Sequence, residues 1–262
     1  MNYRVTPGLL ILLVTLILIS SFTVINIGVY ATGGIPKTDL VAQWKFQNNV
    51  IDSSRNTNDG TIVGRPIFVD GIIGKALCFN GIDDAVSVPN DQSLNFGSNS
   101  NFSISLWLKS KQSGGGDLGL GWLIDHRRNN DGVYAGYSID DDSGIIIARI
   151  RDSAANDVAV YSNTNVNDGK SHHVVFVVDR LSGKEKLYID NALHDSADIS
   201  SIGNIDTGFR LNIGGTASPN TEINFFHGTL DQIRIYRQSL TESQIDRLFG
   251  ESHNRLTDNN CS

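Results

Sequence analysis

Within sixteen positions the chain gathers Trp122, Asp125, His126, Arg127, Asn130, Asp131, Tyr134 and Tyr137. These are the residue types of a sugar-binding surface. An aromatic face stacks on a sugar ring, while Asp, Asn and Arg exchange hydrogen bonds with its hydroxyls. The candidate ligand-binding set is therefore Trp122, Asp125, His126, Arg127, Asn130, Tyr134 and Tyr137. Each aromatic also fits core or rim packing, and Arg127-Arg128 also fits a solvated loop. A concave patch formed by Trp107, Trp122 and Tyr137 would favour sugar binding; a flat, polar face would favour a structural module. No catalytic residue stands out. There is no G-x-S-x-G nucleophile elbow. His172 and His173 are neighbours opening an apolar strand, so they face opposite ways and cannot share one site. Cys78 and Cys261 are the only cysteines, which excludes a cysteine zinc site. A bridge between them and burial of Cys78 as a small hydrophobe are both open.

The elements that position these residues read as strands. Asn101 to Leu108 alternates Phe102, Ile104, Leu106 and Leu108 on one face, with Trp107 on the other. Asp190-Asn191 is a two-residue hairpin turn, and Asp52 fits an Asx turn folding its loop. Asp140-Asp-Asp142 before Ser143-Gly144 reads as a solvated hairpin turn. Residues 229–236 alternate Ile233 and Ile235 with polar neighbours. Strict alternation puts Asp231 on that apolar face, where an ionised carboxylate needs hydrogen bonds or a cation. A bulge at Leu230–Asp231 would turn it outward. Thr241 and Gln244 then stand at capping-box spacing, and Ile245, Leu248 and Phe249 continue one helical face over 241–249. About fourteen short strands and one closing helix define an all-β, two-sheet antiparallel jelly-roll sandwich.

Charge and hydropathy bound the setting. Arg4 is followed by no charge until Lys37, and Leu9 to Ile19 is almost wholly apolar. Residues 1–31 fit a cleaved signal peptide ending at Val29-Tyr-Ala31, and equally an N-terminal hydrophobic helix left as a membrane anchor. Both put the remainder outside the cytoplasm, secreted or held at the cell surface. The expected organisation is 1–31 signal or anchor, 32–39 linker, 40–250 domain and 251–262 polar tail. Without Arg4 the chain has 20 basic against 28 acidic residues, a net charge of −8. Nucleic-acid binding needs a basic face, so that partner is excluded.

Two runs carry a family resemblance. Gly228-x-Leu230-Asp231-x-Ile233-Arg234-Ile235-Tyr236, followed by Leu240-Thr241-x-x-Gln244-Ile245, resembles the closing signature of laminin G-like jelly-roll domains. Gly71-x-x-Gly74-Lys-Ala-Leu-x-Phe79-x-Gly81-x-Asp83-Asp84 resembles an earlier stretch of the same family. That family groups with the concanavalin A-like lectins and glucanases and with the pentraxins. The resemblance implies the sandwich fold and raises two chemistries. Pentraxin-like calcium binding would use Asn130, Asp131 and Glu222, with Asn224 nearby, and Asp231 as a separate candidate; Ca²⁺ requires six to eight oxygens, and the acidic cluster expected after 209–214 is largely missing. Glucanase chemistry requires paired carboxylates in an E-x-D-x-x-E run, and the four glutamates, Glu185, Glu222, Glu242 and Glu251, are scattered. The expectation is a non-catalytic module that binds glycan or a cell-surface protein, with Ca²⁺ as the one cofactor to test. The membrane enters only through 1–31.

Overall fold

The computed structural model describes residues 37–111, 120–127, 134–215 and 224–253. The apolar stretch 1–31, the linker up to residue 36 and the tail from 254 lie outside them. Among the described residues no helix is long and apolar enough to cross a membrane. The chain divides into two compact units, and Gly34–Ser262 holds every element below.

A short 3₁₀ turn, Lys37–Asp39, leads into β1 (Leu40–Trp44), β2 (Thr61–Val63), β3 (Ile67–Asp70), β4 (Lys75–Asn80) and β5 (Ala85–Val88). The middle of the domain is β6 (Phe102–Lys109), β7 (Leu120–Arg127), β8 (Gly136–Asp142), β9 (Ile145–Arg151) and β10 (Asp157–Tyr161). Then come β11 (Ser171–Asp179), β12 (Lys184–Ile189), β13 (Ala192–Asp198), β14 (Leu211–Ile213) and β15 (His227–Tyr236), closed by helix α1 (Glu242–His253). The first sheet runs β13-β12-β11-β6-β15-β4-β3, with β1 paired to β15. The second runs β10-β9-β8-β7-β14-β5-β2. Every pairing between these named strands is antiparallel, and two such sheets face to face make the expected jelly-roll sandwich.

The core between the sheets follows the strand period. Phe102, Ile104, Leu106 and Leu108 of β6 meet Val86, Val88, Ile139, Ile146 and Ile213 from the other sheet. Phe96 stacks on Phe102 with ring centroids 4.3 Å apart. The hairpin turn at Asp190-Asn191 has φ of 50° and 68°, the left-handed pair that a two-residue turn requires. Asp52 accepts from the backbone N–H groups of Gln43, Ser54 and Asn58, so it folds its own loop as expected. Cys78 is both buried and disulfide-bonded, so its burial does not exclude a bridge.

The strand β15 departs from strict alternation. Gln232 has φ 48° and the pairing with β6 shifts between Asp231 and Arg234. This bulge adds one residue, so Leu230, Ile233 and Ile235 all reach the core. Asp231 pairs with Trp107 and lies on the opposite face. The expectation that Asp231 shares a face with Ile233 and Ile235 is therefore corrected. The bulge falls just after the position that would have turned it outward.

That outer face of the first sheet is occupied by α1. Thr241 N–H donates to Gln244 Oε1 at 2.9 Å, and Gln244 N–H donates to Thr241 Oγ1 at 3.3 Å, the reciprocal cap. The helix runs to His253, beyond the expected 249. Ile245 and Leu248 pack on Val175, Val177, Tyr188 and Tyr236. Burying each is worth about 2 kcal/mol. Trp107 stacks on Phe249 with centroids 5.7 Å apart.

Candidate functional site

The outer face of the second sheet is where the polar residues collect. Alternation sends Leu123, Ile139, Ile150 and Ile213 inward, and their neighbours outward. Cross-strand pairing then aligns Ser87, Asn212, Asp125, Ser138 and Arg149 in one rung over five strands. On one side of it Trp122 pairs with Asp140; on the other Arg127 pairs with Gly136 and so with Arg151.

Contacts join these rungs. Arg127 Nε donates to Asp125 Oδ1 at 2.9 Å, and its guanidinium lies 4.0 Å from the centre of the Trp122 ring. Arg149 Nε approaches Asp140 Oδ2 at 3.8 Å, too long for a hydrogen bond. Arg210 donates to Ser87 Oγ at 3.1 Å. The guanidinium of Arg151 lies 5.8 Å over the Tyr134 ring. The face is closely packed: Trp122 is 9% exposed, Asp125 7% and Asp140 2%. Burial pushes the Asp125 carboxyl up to about 7, against the pull of Arg127. Burial also raises Asp140, opposed by Arg127 and Arg149. Four buried polar atoms here lack a hydrogen-bond partner among the described residues: Asp140 Oδ1, Asn212 Oδ1, Arg149 Nε and Arg151 Nε. Buried polar atoms are otherwise nearly always paired, so each such atom calls for a water or a ligand.

The structure brings together only part of the expected ligand set. Trp122, Asp125 and Arg127 form one cluster, and Tyr134 lies at its edge beside Arg151. His126 and Tyr137 are corrected: they alternate inward, at 0% and 1% exposed. His126 Nε2 is 3.3 Å from Asn90 Oδ1, and burial lowers its pKa to about 4. Tyr137 Oη donates to Leu94 O at 3.2 Å. Neither side chain can meet a ligand on the outer face. The Trp107, Trp122 and Tyr137 patch is not assembled, because Trp107 belongs to the first sheet under α1; that sign of sugar binding is missing among the described residues, and Trp122 and Tyr134 are the aromatics left to this polar face. Asn130, Asp131 and Glu222 lie outside the described residues.

Asp231 remains buried on its new face. Its Oδ2 accepts from Ile73 N–H at 3.1 Å, while Oδ1 has no partner. Burial raises its carboxyl to about 6. Among the described residues no three His, Cys, Asp or Glu side chains converge as a metal site. His173 is packed in the fold, bonded to Ser105 Oγ at 2.9 Å and lowered to about 3 by burial.

Sequence reasoning missed Ser138, Asp140, Arg149 and Asn212. Asp140 and Asp141 were expected in a solvated turn, yet both are buried within β8, and only Ser143-Gly144 turn the chain. The available signal was the polar alternation of Ser138, Asp140 and Asp142 against Tyr137 and Ile139.

An antiparallel two-sheet sandwich with this strand order is a jelly roll. Residues 80–246 match the family described as the Concanavalin A-like lectin/glucanases superfamily, and the chain belongs to it. Over 215 residues it is 27% identical to Paraclostridial mosquitocidal protein 1 of Paraclostridium bifermentans, covering 77% of this chain and 16% of that protein. The solved binding domain of that protein superposes with a TM-score of 0.70 at 23% identity, covering 83% of this chain and 53% of that one. Non-toxic nonhemagglutinin type E of Clostridium botulinum is 31% identical over 177 residues, covering 63% of this chain and 14% of that protein. The binding domain of botulinum neurotoxin DC, solved in complex with rat synaptotagmin II, has a TM-score of 0.66 at 16% identity over 82% of this chain and 52% of that one. The chain thus spans about a sixth of the curated relatives it matches and about half of these solved domains. The expectation of a binding module rather than an enzyme agrees with these relatives.

Proposed function

We propose that the domain is a non-catalytic, extracytoplasmic module that binds glycans through the outer face of its second sheet. The observation that carries this reading is the Trp122–Arg127–Asp125 cluster beside four buried polar atoms without partners. An aromatic ring, a guanidinium and carboxylates within one set of rungs supply the stacking and paired hydrogen bonds that a sugar needs. The unpartnered atoms of Asp140, Asn212 and Arg149 are acceptors and donors for hydroxyls or for bridging waters. Asp231 is not available to a calcium ion here, because it belongs to the other sheet and bonds Ile73 N–H, which leaves Asn130, Asp131 and Glu222 as the calcium candidates read from the sequence.

The test is binding of the full chain to a panel of immobilised polysaccharides, in calcium and then in EDTA. Binding weakened about tenfold by Trp122→Ala, the loss of a stacking contact of roughly 1.4 kcal/mol, supports the reading. Loss in EDTA adds calcium to it; retention leaves recognition to the cluster alone. A folded chain that binds no glycan overturns it. Protein recognition is the second reading, supported by the synaptotagmin complex of the botulinum neurotoxin DC binding domain.

A further inference from the structure

Where β6 begins and β11 and β15 end, three loops leave an open cleft of about 650 Å³, within the range of small-ligand sites. One wall is the polar run Ser98 to Asn101; the others present Arg180 and Arg237, with Gln238 and Ser239 between strand and helix. No carboxylate lines it. The single apolar side chain at its lip is Leu181, which is 93% exposed.

Both arginines are held by carbonyls instead of carboxylates. Arg180 donates from Nη1 to Ile202 O at 2.8 Å and from Nη2 to Gly203 O at 3.2 Å and Gly97 O at 3.5 Å, while its Nε is buried without a hydrogen-bond partner among the described residues. Arg237 donates from Nη2 to Ser93 O at 2.8 Å and to Asn95 O at 3.2 Å, and lies 4.8 Å over the Phe96 ring. Carbonyl bonds fix the direction of a guanidinium but leave its charge uncancelled. Among the described residues neither arginine forms an ion pair, whereas Arg127, Arg149 and Arg234 all do. The nearby acids are engaged in turns: Asp179 accepts from Leu181 and Ser182, Asp206 from Gly97, and Asp152, whose charge also acts on Arg180, from Gly203 and Asn156. The walls are also tied to each other, since Asn101 accepts from Arg180 N–H at 2.8 Å and donates to Ser239 Oγ at 3.3 Å. A chain with net charge −7 thus holds two cations without an ion pair among the described residues in one pre-formed polar cleft.

We propose that this cleft is a second binding site, for the acidic group of a charged sugar. The sulfate or carboxylate oxygens sit on the guanidiniums of Arg180 and Arg237, and ring hydroxyls meet Ser98, Asn99 and Ser239. The hydroxyl and amide walls match a sugar, which both donates and accepts. An acidic peptide would need apolar pockets that the cleft lacks. The site shares no residue with the Trp122 face, so the two readings fail separately.

The experiment titrates the full chain by calorimetry with a sulfated hexasaccharide, its desulfated counterpart, free sodium sulfate and an acidic peptide. The sulfated sugar is expected to bind at least about tenfold more tightly than the desulfated one, the effect of one charge-assisted contact. Ser98→Asp puts an anion on the exposed wall without touching an arginine anchor, and Arg237→Gln removes one cation. Each is expected to weaken the sulfated sugar by about tenfold, with Trp122→Ala leaving that difference between the sugars intact. Equal affinity for the two sugars overturns the proposal. So does tighter binding of the peptide, no advantage of the sulfated sugar over free sulfate, or a sulfate preference that survives both Ser98→Asp and Arg237→Gln.

Discussion

Glu185 is a carboxylic acid placed where an apolar residue would serve. It lies on β12 between Val178 and Ala197, on the core side with Leu187. It is fully buried, and neither carboxyl oxygen has a hydrogen-bond partner. Burial is the main cause that pushes its pKa from 4.5 to about 9; Asp157 and Asp195 add to the rise, and Arg180 and Arg149 oppose it. The folded domain therefore keeps Glu185 protonated at pH 7, while the unfolded chain ionises it. For an acid raised on folding, the native state binds the extra proton, so stability falls as pH rises. The penalty is absent below pH 4.5 and grows up to about 9. At pH 7 the gap of 2.5 units above the unfolded value corresponds to about 3 kcal/mol.

The perturbation is Glu185→Gln, which keeps the shape and cannot ionise, with Glu185→Leu as an apolar companion. Urea unfolding of variant and parent at pH 4.5, 6, 7 and 8 gives the difference in stability at each pH. That difference should move in favour of Gln by about 3 kcal/mol between pH 4.5 and 7. Other titrating groups are common to both proteins and cancel. A difference that stays constant over this range would refute the reasoning, since it would mean that Glu185 ionises in the fold as easily as outside it.

Asp231→Asn tests a second buried acid, on the first sheet. Its carboxyl rises from 3.8 to about 6, so the parent should gain about 2 kcal/mol relative to Asn as pH falls from 6 to 3.8, read by urea unfolding. Gly136→Ala should destabilise by about 3 kcal/mol or more, because φ is +136° and the added Cβ would fall against His126 O; a thermal melt reads it, and an unchanged Tm would contradict the close approach of β7 and β8. Leu248→Ala should cost about 3 kcal/mol by opening the cluster under α1, with glycan binding unchanged once the protein is folded.

The fold was legible because most strands obey their period. The apolar alternation of β6, the Asp190-Asn191 turn and the Thr241–Gln244 cap each rest on local chemistry, and each stands as read. The site was legible only in composition. Trp122, Asp125 and Arg127 do meet, since positions two or three apart on one strand return to one face across a register shift between Trp122 and Ile124. His126 and Tyr137 belong to the same stretch of sequence but to the other side of the sheet. Asp140, Arg149 and Asn212 come from strands that only the pairing order places beside β7, and no local pattern shows that order. Asp231 shows the limit most plainly: one positive φ at Gln232 moves it to the other face.

The two outer faces answer different needs. On the first sheet the outward residues Trp107, Val175, Val177 and Tyr236 are apolar, and α1 covers them with Leu240, Ile245 and Leu248. That face is closed by the chain itself, and the signature run from β15 into α1 is what closes it. Its sequence motif therefore reports stability, and function has to be sought elsewhere. On the second sheet the outward residues are Ser, Asn, Asp and Arg, and among the described residues no hydrophobic cluster covers them. Keeping charged groups such as Asp140 and Arg149 buried with polar atoms unpartnered costs stability that an apolar face would not. Stabilisation alone gives no reason for such an arrangement, whereas recognition of a hydroxyl-rich ligand does. The residues whose substitution should change binding without changing the fold are accordingly those of β7, β8 and β9, not those of the motif that identifies the family.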